Sequence, residues 1–128
     1  MRLSTARFEE LAFDTAGELL ERLPPELRAD AEEVILEIEQ RPTREQVVRL
    51  GLDSGHTLLG LFTGVPLVER HADTVRLAPD RITLFQQPLQ AMCRTEAELK
   101  ARLRHTLIHE LAHFFGRTDE ELLAMGKY

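Results

Sequence analysis

The sequence predicts an α+β fold with a small sheet of three to four strands and one long helix. Two short runs (33–40 and 81–86) alternate in the way that is typical of half-buried strands, and a third run, 57–63, also predicts a strand. A longer pattern, from Thr95 to about Phe115, repeats leucines at the spacing of a helix. The chain has 128 residues, so we expect a single domain over residues 1–128.

An amphipathic helix opens the chain. Its apolar residues recur every three or four positions after the candidate N-caps Ser4 and Thr5, and Pro24-Pro25 ends it. The run Glu33–Gln40 is ambiguous, because its glutamates would also suit a helix that continues from Pro25. Its alternation and β-branched residues favour a strand that ends at Arg41-Pro42.

The middle of the chain is predicted to hold a short helix and two further strands. Thr43–Gln46 is a capping-box pattern that begins a helix through Leu50, with Gly51 as its C-cap. Thr57–Thr63 then predicts a strand that Gly60 interrupts, and Arg81–Gln86 predicts the next one.

Between these two strands, Leu67–Ala78 has weak periodicity and predicts a loop that includes at most a short strand at Thr74–Leu77. Pro88–Cys93 fits a short helix, and residues 119–125 fit a last one. The longest helix begins at the capping box Thr95–Glu98. Its apolar stripe, at 100° per residue, consists of Leu99, Leu103, Leu107, Leu111 and Phe114.

Composition excludes several classes of protein. The net charge is −6 and the pI is about 5.4, which disfavours nucleic acid and anionic membranes as partners. No apolar run is long enough to span a bilayer. The one cysteine, Cys93, allows no internal disulfide and is expected in the core. Met1–Leu11 lacks the apolar core of a secretory signal, so we expect a cytoplasmic protein.

The motif H-E-x-x-H lies on the predicted long helix, at His109, Glu110 and His113. The two histidines are four residues apart, so they project from one face and can bind one tetrahedral zinc ion. They lie on a different face from the leucine stripe, which leaves them free to line a cleft. Glu110 is placed to act as general base on a metal-bound water without ligating the metal.

The motif extends to H-E-x-x-H-x-x-G-x-x-D. Gly116 permits the sharp turn that leaves the helix, and Asp119 then offers a carboxylate as third ligand. Thr118 and Asp119 also resemble helix N-caps, and Thr118 with Glu121 forms a capping-box pattern. Both roles are compatible if Thr118 caps and Asp119 ligates, with Glu120 and Glu121 as alternative ligands.

For several other residues the sequence gives only weak evidence of a role at the site. His105 lies two turns, about 12 Å, from His113, so both cannot bind one ion from a regular helix. We expect His105 to line the cleft, to support a metal ligand through a contact, or simply to be exposed. His71 or Arg81 could stabilise an oxyanion, although neither has a clear signature. Met125 invites comparison with a methionine turn beneath zinc, but packing is the commoner role.

The chain resembles the zincin-like metallopeptidases, and in particular a small bacterial family of minimal zincins that are predicted to be acidic zinc-dependent proteases. The resemblance covers nearly the whole sequence. It implies a small twisted sheet packed on the active-site helix, with a zinc cleft between the sheet edge and the helix. Its landmarks are Leu50-Gly51-Leu52, residues 57–62, Gly64-Val65-Pro66-Leu67, Pro79-Asp80-Arg81-Ile82 and the segment from His109 to Asp119.

Two functions remain open on the sequence. The first is a zinc metallopeptidase that binds a peptide or protein substrate against an edge strand, either Arg81–Gln86 or Thr57–Thr63. The second is a non-catalytic metal-binding or protein-interaction module that retains the same fold. Glu110 favours the enzyme, because a purely structural zinc site has no use for a carboxylate beside a water position.

Overall fold

The computed structural model describes residues 1–50, 58–70 and 78–125. Within those ranges helices and strands both occur, which confirms the α+β class. The helices are α1 (Thr5–Arg22), α2 (Pro25–Glu32), α3 (Arg44–Arg49), α4 (Gln86–Ala91), α5 (Glu96–Phe115) and α6 (Asp119–Met125). The strands are β1 (Ile35–Glu39), β2 (Gly60–Thr63) and β3 (Arg81–Phe85), and a single 3₁₀ turn covers Leu67–Glu69.

The strands form one mixed sheet in the order β1-β3-β2 within the described ranges. β1 is parallel to β3, with Ile35 opposite Arg81, and β2 is antiparallel to β3, with Phe62 opposite Ile82. β3 is therefore the central strand. The prediction that Arg81–Gln86 could receive a peptide at a free edge is wrong, because both edges of β3 are already paired.

The predicted elements are present with shifted boundaries. The second strand, predicted over Thr57–Thr63 with an interruption at Gly60, instead begins at Gly60 as β2 within the described residues. The strand reading of Glu33–Gln40 is confirmed as β1, and the longest helix is confirmed as α5. The third strand ends one residue early, at Phe85, because Gln86 begins α4. The buried Gln86 side chain donates a hydrogen bond to the Leu3 carbonyl (3.1 Å), which binds the start of α4 to the N-terminal segment. The suggested strand at 74–77 and the cap at position 51 lie outside the described residues.

Local signals explain where the two long helices begin. The Ser4 side chain accepts a hydrogen bond from the Arg7 N–H at 3.1 Å, and the Thr95 side chain accepts one from the Glu98 N–H at 3.1 Å. Each bond satisfies one of the N–H groups that a helix leaves unpaired in its first turn. Ser4, rather than Thr5, is therefore the cap of α1.

The core is built around α5. α1 packs on one side of this helix, and β2 and β3 pack on the other. The predicted leucine stripe is buried throughout, but the buried surface is wider than that stripe because α5 is covered from two sides. It also includes Thr106, Ile108, Glu110, Ala112 and Phe115. Burial on two sides leaves one narrow face of α5 open to solvent, and that face carries the histidines.

Candidate metal centre

His109 and His113 lie one turn apart on the solvent-facing side of α5. Their side chains are 48% and 53% exposed, and their ring centroids are 4.6 Å apart. One donor atom from each of His109, Glu110 and His113 lies within 4.8 Å of the other two. The helix therefore brings the three motif residues together in the arrangement that the spacing predicts.

Glu110 is buried between two exposed histidines. Its relative exposure is 5%, because it points toward β2 rather than into solvent. Its Oε1 atom accepts a hydrogen bond from the Phe62 N–H at 2.8 Å and lies 3.4 Å from His113 Nδ1. No contact of the second carboxylate oxygen, Oε2, is recorded within the described ranges. The carboxylate is thus fixed through Oε1.

The Phe62 N–H can reach Glu110 because it points away from the sheet. The Phe85 N–H donates to the Leu59 carbonyl at 3.0 Å, which sets the alternation along β2. In an antiparallel pair the hydrogen-bonded positions alternate, so Leu61 faces β3 while Gly60 and Phe62 direct their backbone groups outward. Glu110 therefore occupies one of the donors on the open edge of the sheet.

Gly60 allows β2 to approach α5 closely enough for this contact. A Cβ atom at this position would lie 2.7 Å from Thr106 Cγ2 and 3.5 Å from Glu110 Cγ. Any side chain would push the strand away from the helix. An isolated glycine in a strand often marks such a close approach, so the glycine that interrupts the predicted strand was a usable signal.

The chain leaves α5 at Gly116, whose left-handed backbone (φ 67°, ψ 35°) ends the helix. The Gly116 and Arg117 N–H groups donate to the His113 and Ala112 carbonyls at 3.0 and 2.9 Å, which is a common way to terminate a helix. A Cβ at Gly116 would clash with Cγ2 of Val68. Glycine is therefore required here both by the backbone angle and by Val68.

α6 begins with the predicted capping box. The Thr118 hydroxyl accepts from the Glu121 N–H (3.1 Å), and the Glu121 carboxylate accepts from the Thr118 N–H (3.0 Å). The bond from the Thr118 backbone holds the pKa of Glu121 below its usual value. Because Glu121 is engaged in the cap, it is a poor candidate for a metal ligand.

Asp119 is left free by that cap and turns toward the histidines. Its carboxylate oxygens lie 3.0 and 3.1 Å from His109 Nδ1, and its side chain is 36% exposed. The structure thus brings Asp119 against His109. Glu120, the other alternative ligand, is exposed on α6.

The remaining predicted residues fall in different places. His105 is exposed and lines a cleft of about 300 Å³ with Gly60, His109 and Glu110, so it is a cleft wall. Arg81, which was a candidate to stabilise an oxyanion, forms an ion pair with Glu37 at 2.7 Å. Its guanidinium is therefore already engaged. Met125 borders a cavity at the turn between α1 and α2. His71 lies outside the described residues.

Cys93 is confirmed as a core thiol. It is 5% exposed, and its Sγ donates to the Leu89 carbonyl at 3.4 Å. Burial raises the pKa of this thiol, so it stays protonated and unreactive near neutral pH.

Two groups at the site were not identified from the sequence. The first is the Phe62 N–H. It could not be identified because any residue type except proline has a backbone N–H, and the direction of this one depends on the register of β2. The second is Arg102, which lines the same cleft as Glu110. It lies on α5 two turns before Glu110, and only the position of β2 shows that this part of the helix borders the cleft.

The donor types at the site suit a metal ion. Imidazole nitrogens of His109 and His113 lie in one group with a Glu110 oxygen, and the Asp119 carboxylate lies against His109. The side chains of His109, His113 and Asp119 are partly exposed, so a metal can reach them from solvent. The Glu110 carboxylate lies beside them, buried and held by the Phe62 N–H.

A helix that presents two histidines and a buried glutamate, packed under the edge of a mixed sheet, defines the class of metal-dependent hydrolases with this motif. Comparison with known proteins gives the family. A family model described as zincin-like metallopeptidase matches residues 31–127, and the chain belongs to that family. A search of curated proteins finds no match. None of the helices in the described ranges has the length and apolar character needed to cross a membrane.

Proposed function

We propose that this protein is a zinc-dependent peptidase in which Glu110 is the general base. The observation that carries the proposal is the environment of Glu110. It is buried beside two exposed histidines and is fixed through Oε1 by the Phe62 N–H at 2.8 Å. A glutamate held in this way is positioned for proton transfer, which depends on a fixed distance to the reacting group.

The substrate would be a peptide or protein segment in extended conformation, bound along β2. In the described part of the chain no strand pairs with the outer edge of β2. The outward groups on this edge are the N–H and C=O of Gly60 and the C=O of Phe62, since the Phe62 N–H is held by Glu110. A peptide paired with these groups would lie over the cleft that His109 and Glu110 line.

His109, His113 and Asp119 would hold the zinc, which supplies Lewis acidity for water activation and carbonyl polarisation. Glu110 would accept the proton of the attacking water at Oε2. It would then deliver the proton to the leaving amine. The Phe62 N–H would keep the carboxylate in one orientation throughout, and the burial of Glu110 strengthens this hydrogen bond by excluding water.

Metal analysis and a peptide-library cleavage assay test the proposal. We expect near-stoichiometric zinc in the purified protein and cleavage that Glu110→Gln reduces by at least about a hundredfold, the scale of general-base catalysis, while zinc is retained. Glu120→Gln, at an exposed glutamate on α6, is the matched control and should cleave as the parent does.

Two results would contradict the proposal. Zinc binding without cleavage of any library member would favour a non-catalytic metal-binding or protein-interaction module. Cleavage that survives Glu110→Gln would assign the general base to another residue.

A further inference from the structure

A second concave surface lies on the opposite side of α5 from the histidines. It is an apolar groove of about 250 Å³ between α1 and the edge of β1. Its floor includes Leu107 and Leu111, which face away from His109 and His113 on the helix. The groove is therefore separate from the candidate metal centre.

Gly17 forms part of the α1 wall, and its presence there has no packing explanation. A Cβ atom at Gly17 would meet no atom within 4 Å. Glycine inside a helix lowers the free energy of unfolding by about 1 kcal/mol relative to alanine. The helix is therefore less stable than it would be with alanine, at a position where a side chain would fit. The structural effect of glycine here is to leave the groove deeper. Phe13, which is 50% exposed, lies one turn away on the same wall.

The other wall is a strand with an open edge. The Ile35 N–H donates to the Asp80 carbonyl at 2.9 Å, so Ile35 directs its backbone groups toward β3. Successive residues of a strand direct their backbone groups to opposite sides. The N–H and C=O of Leu36 and Ile38 therefore point away from β3. Within the described ranges no strand pairs with this edge. A strand added here would direct alternate side chains toward the groove.

Acidic residues stand at both ends of the groove. Glu9 is on the same face of α1 as Phe13 and Leu20, by helical spacing, and marks one end. Glu32 lines the groove where α2 leads into β1, and Glu33 follows it. All three glutamates are exposed, and no ion pair of theirs is recorded among the described residues. A cationic partner is favoured, whereas a second copy of this chain, with net charge −6, is disfavoured by repulsion.

We propose that this groove is a docking site for an extended segment of a partner protein, with apolar side chains in its centre and Lys or Arg at its ends. The segment adds to the edge of β1 through Leu36 and Ile38, places its apolar side chains beside Gly17 and pairs its cations with Glu9 and Glu32. This binding requires neither metal nor cleavage, so it is independent of the peptidase function proposed above.

Fluorescence anisotropy with a synthetic probe tests the docking site. The probe is a short labelled peptide with alternating valine and threonine between two pairs of lysines. A second peptide has glutamates in place of the lysines. We expect the lysine peptide to bind the zinc-loaded full chain at least about tenfold more tightly than the glutamate peptide, with weaker binding at high salt.

Two variants of Gly17 separate docking from folding. Gly17→Leu fills the groove and should weaken binding of the lysine peptide by at least about tenfold, although it raises helix propensity. Gly17→Ala raises helix propensity further while it leaves most of the groove open, and it should bind as the parent does. Glu9→Lys combined with Glu32→Lys should reverse the preference between the two peptides.

The proposal is overturned if the parent binds neither peptide, if it binds both equally, or if Gly17→Leu binds as the parent does. Sedimentation provides a further test. A dimer of the parent that Gly17→Leu abolishes would make a second copy the occupant of the groove and would overturn the proposed partner. None of these outcomes depends on peptidase activity.

Discussion

At the scale of single residues, the site depends on two adjacent residues, His109 and Glu110, that have opposite exposure to solvent. His109 is exposed and Glu110 is buried because one step along a helix rotates the side chain by about 100°, from the open face toward β2. Burial then gives the Phe62 hydrogen bond its strength, since water does not compete for Oε1. The histidines, on the open face, remain accessible to a metal ion from solvent.

The role of Asp119 is testable by metal affinity. If it is the third ligand, Asp119→Ala should weaken zinc binding by more than the tenfold to hundredfold that is typical when a residue only orients a ligating histidine. The measurement is a competition titration against a chelator of known affinity. Glu120→Ala is the control and should bind zinc as the parent does, because Glu120 is exposed on α6, whereas Asp119 lies against His109.

If Asp119→Ala lowers zinc affinity by only tenfold to hundredfold, Asp119 has a different role. It would then orient His109 through the contact to Nδ1, which is 3.0 Å long. Unchanged affinity would exclude Asp119 from the site.

At the scale of elements, two junctions with α5 assemble the site. One is the turn from α5 to α6, where Gly116 and the Thr118 cap direct Asp119 back toward His109. The other is the contact between α5 and β2, where Gly60 permits the approach and the Phe62 N–H binds Glu110. Each junction fixes a group that the helix alone could not position.

Gly116→Ala should destabilise the fold and weaken zinc binding. The left-handed backbone costs a non-glycine residue about 1–2 kcal/mol, and the new Cβ would also clash with Val68. Thermal unfolding of Gly116→Ala and of Gly116→Ala/Val68→Ala separates the two effects, because the double variant removes both Val68 methyl groups from the clash and keeps the backbone strain. Equal stability of Gly116→Ala and the parent would show that the turn has another conformation.

Phe62→Pro should remove the hydrogen bond to Glu110 while it preserves the sheet. Proline is tolerated where an edge strand directs its N–H outward, as β2 does at this position. Compared with Phe62→Ala, which keeps the N–H, it should lose about 1.5–3 kcal/mol of stability, as expected for a hydrogen bond to a charged group. Denaturant unfolding measures the difference, and peptide cleavage should fall in parallel.

A double-mutant cycle provides the control for Phe62→Pro. In a Glu110→Ala background the two variants should differ much less, because the acceptor is absent. If the stability difference between Phe62→Pro and Phe62→Ala is the same in both backgrounds, it comes from strain in β2 and not from the lost hydrogen bond to Glu110. Leu61→Pro, which removes an N–H that faces β3, should be more destabilising than Phe62→Pro.

At the scale of the whole molecule, contacts between distant segments connect the N-terminal helix to α5. The guanidinium of Arg7 on α1 binds both carboxylate oxygens of Glu96, in the first turn of α5, at 2.6 and 3.1 Å. This bidentate bond lowers the pKa of Glu96 and raises that of Arg7. It joins residues that are 89 positions apart.

The Arg7–Glu96 pair predicts a pH dependence of stability. The pKa of Glu96 is lower in the folded state, so its contribution is present above the unfolded value of about 4.3 and is lost as the pH falls through the folded value. Glu96→Gln should therefore be less stable than the parent at pH 7, and this gap should close as the pH falls below about 4.

Denaturant unfolding at a series of pH values measures this gap. The matched control is Glu9→Gln, at a glutamate for which no ion pair is recorded in the described part of the chain, and it should show no such trend. A gap of constant size down to pH 3 would contradict the assignment to Arg7.

The sequence by itself determined the helices, the approximate positions of the three strands and the residues of the metal motif. These features depend on local physics: the periodicity of apolar residues, the caps at Thr95 and Thr118, and the left-handed turn at Gly116. Only the tertiary structure decided that β3 is central, that Glu110 is bound by the Phe62 N–H and that a groove lies beside Gly17. Each of these depends on the order and register of strands, which are set by contacts between distant segments that residue spacing does not encode.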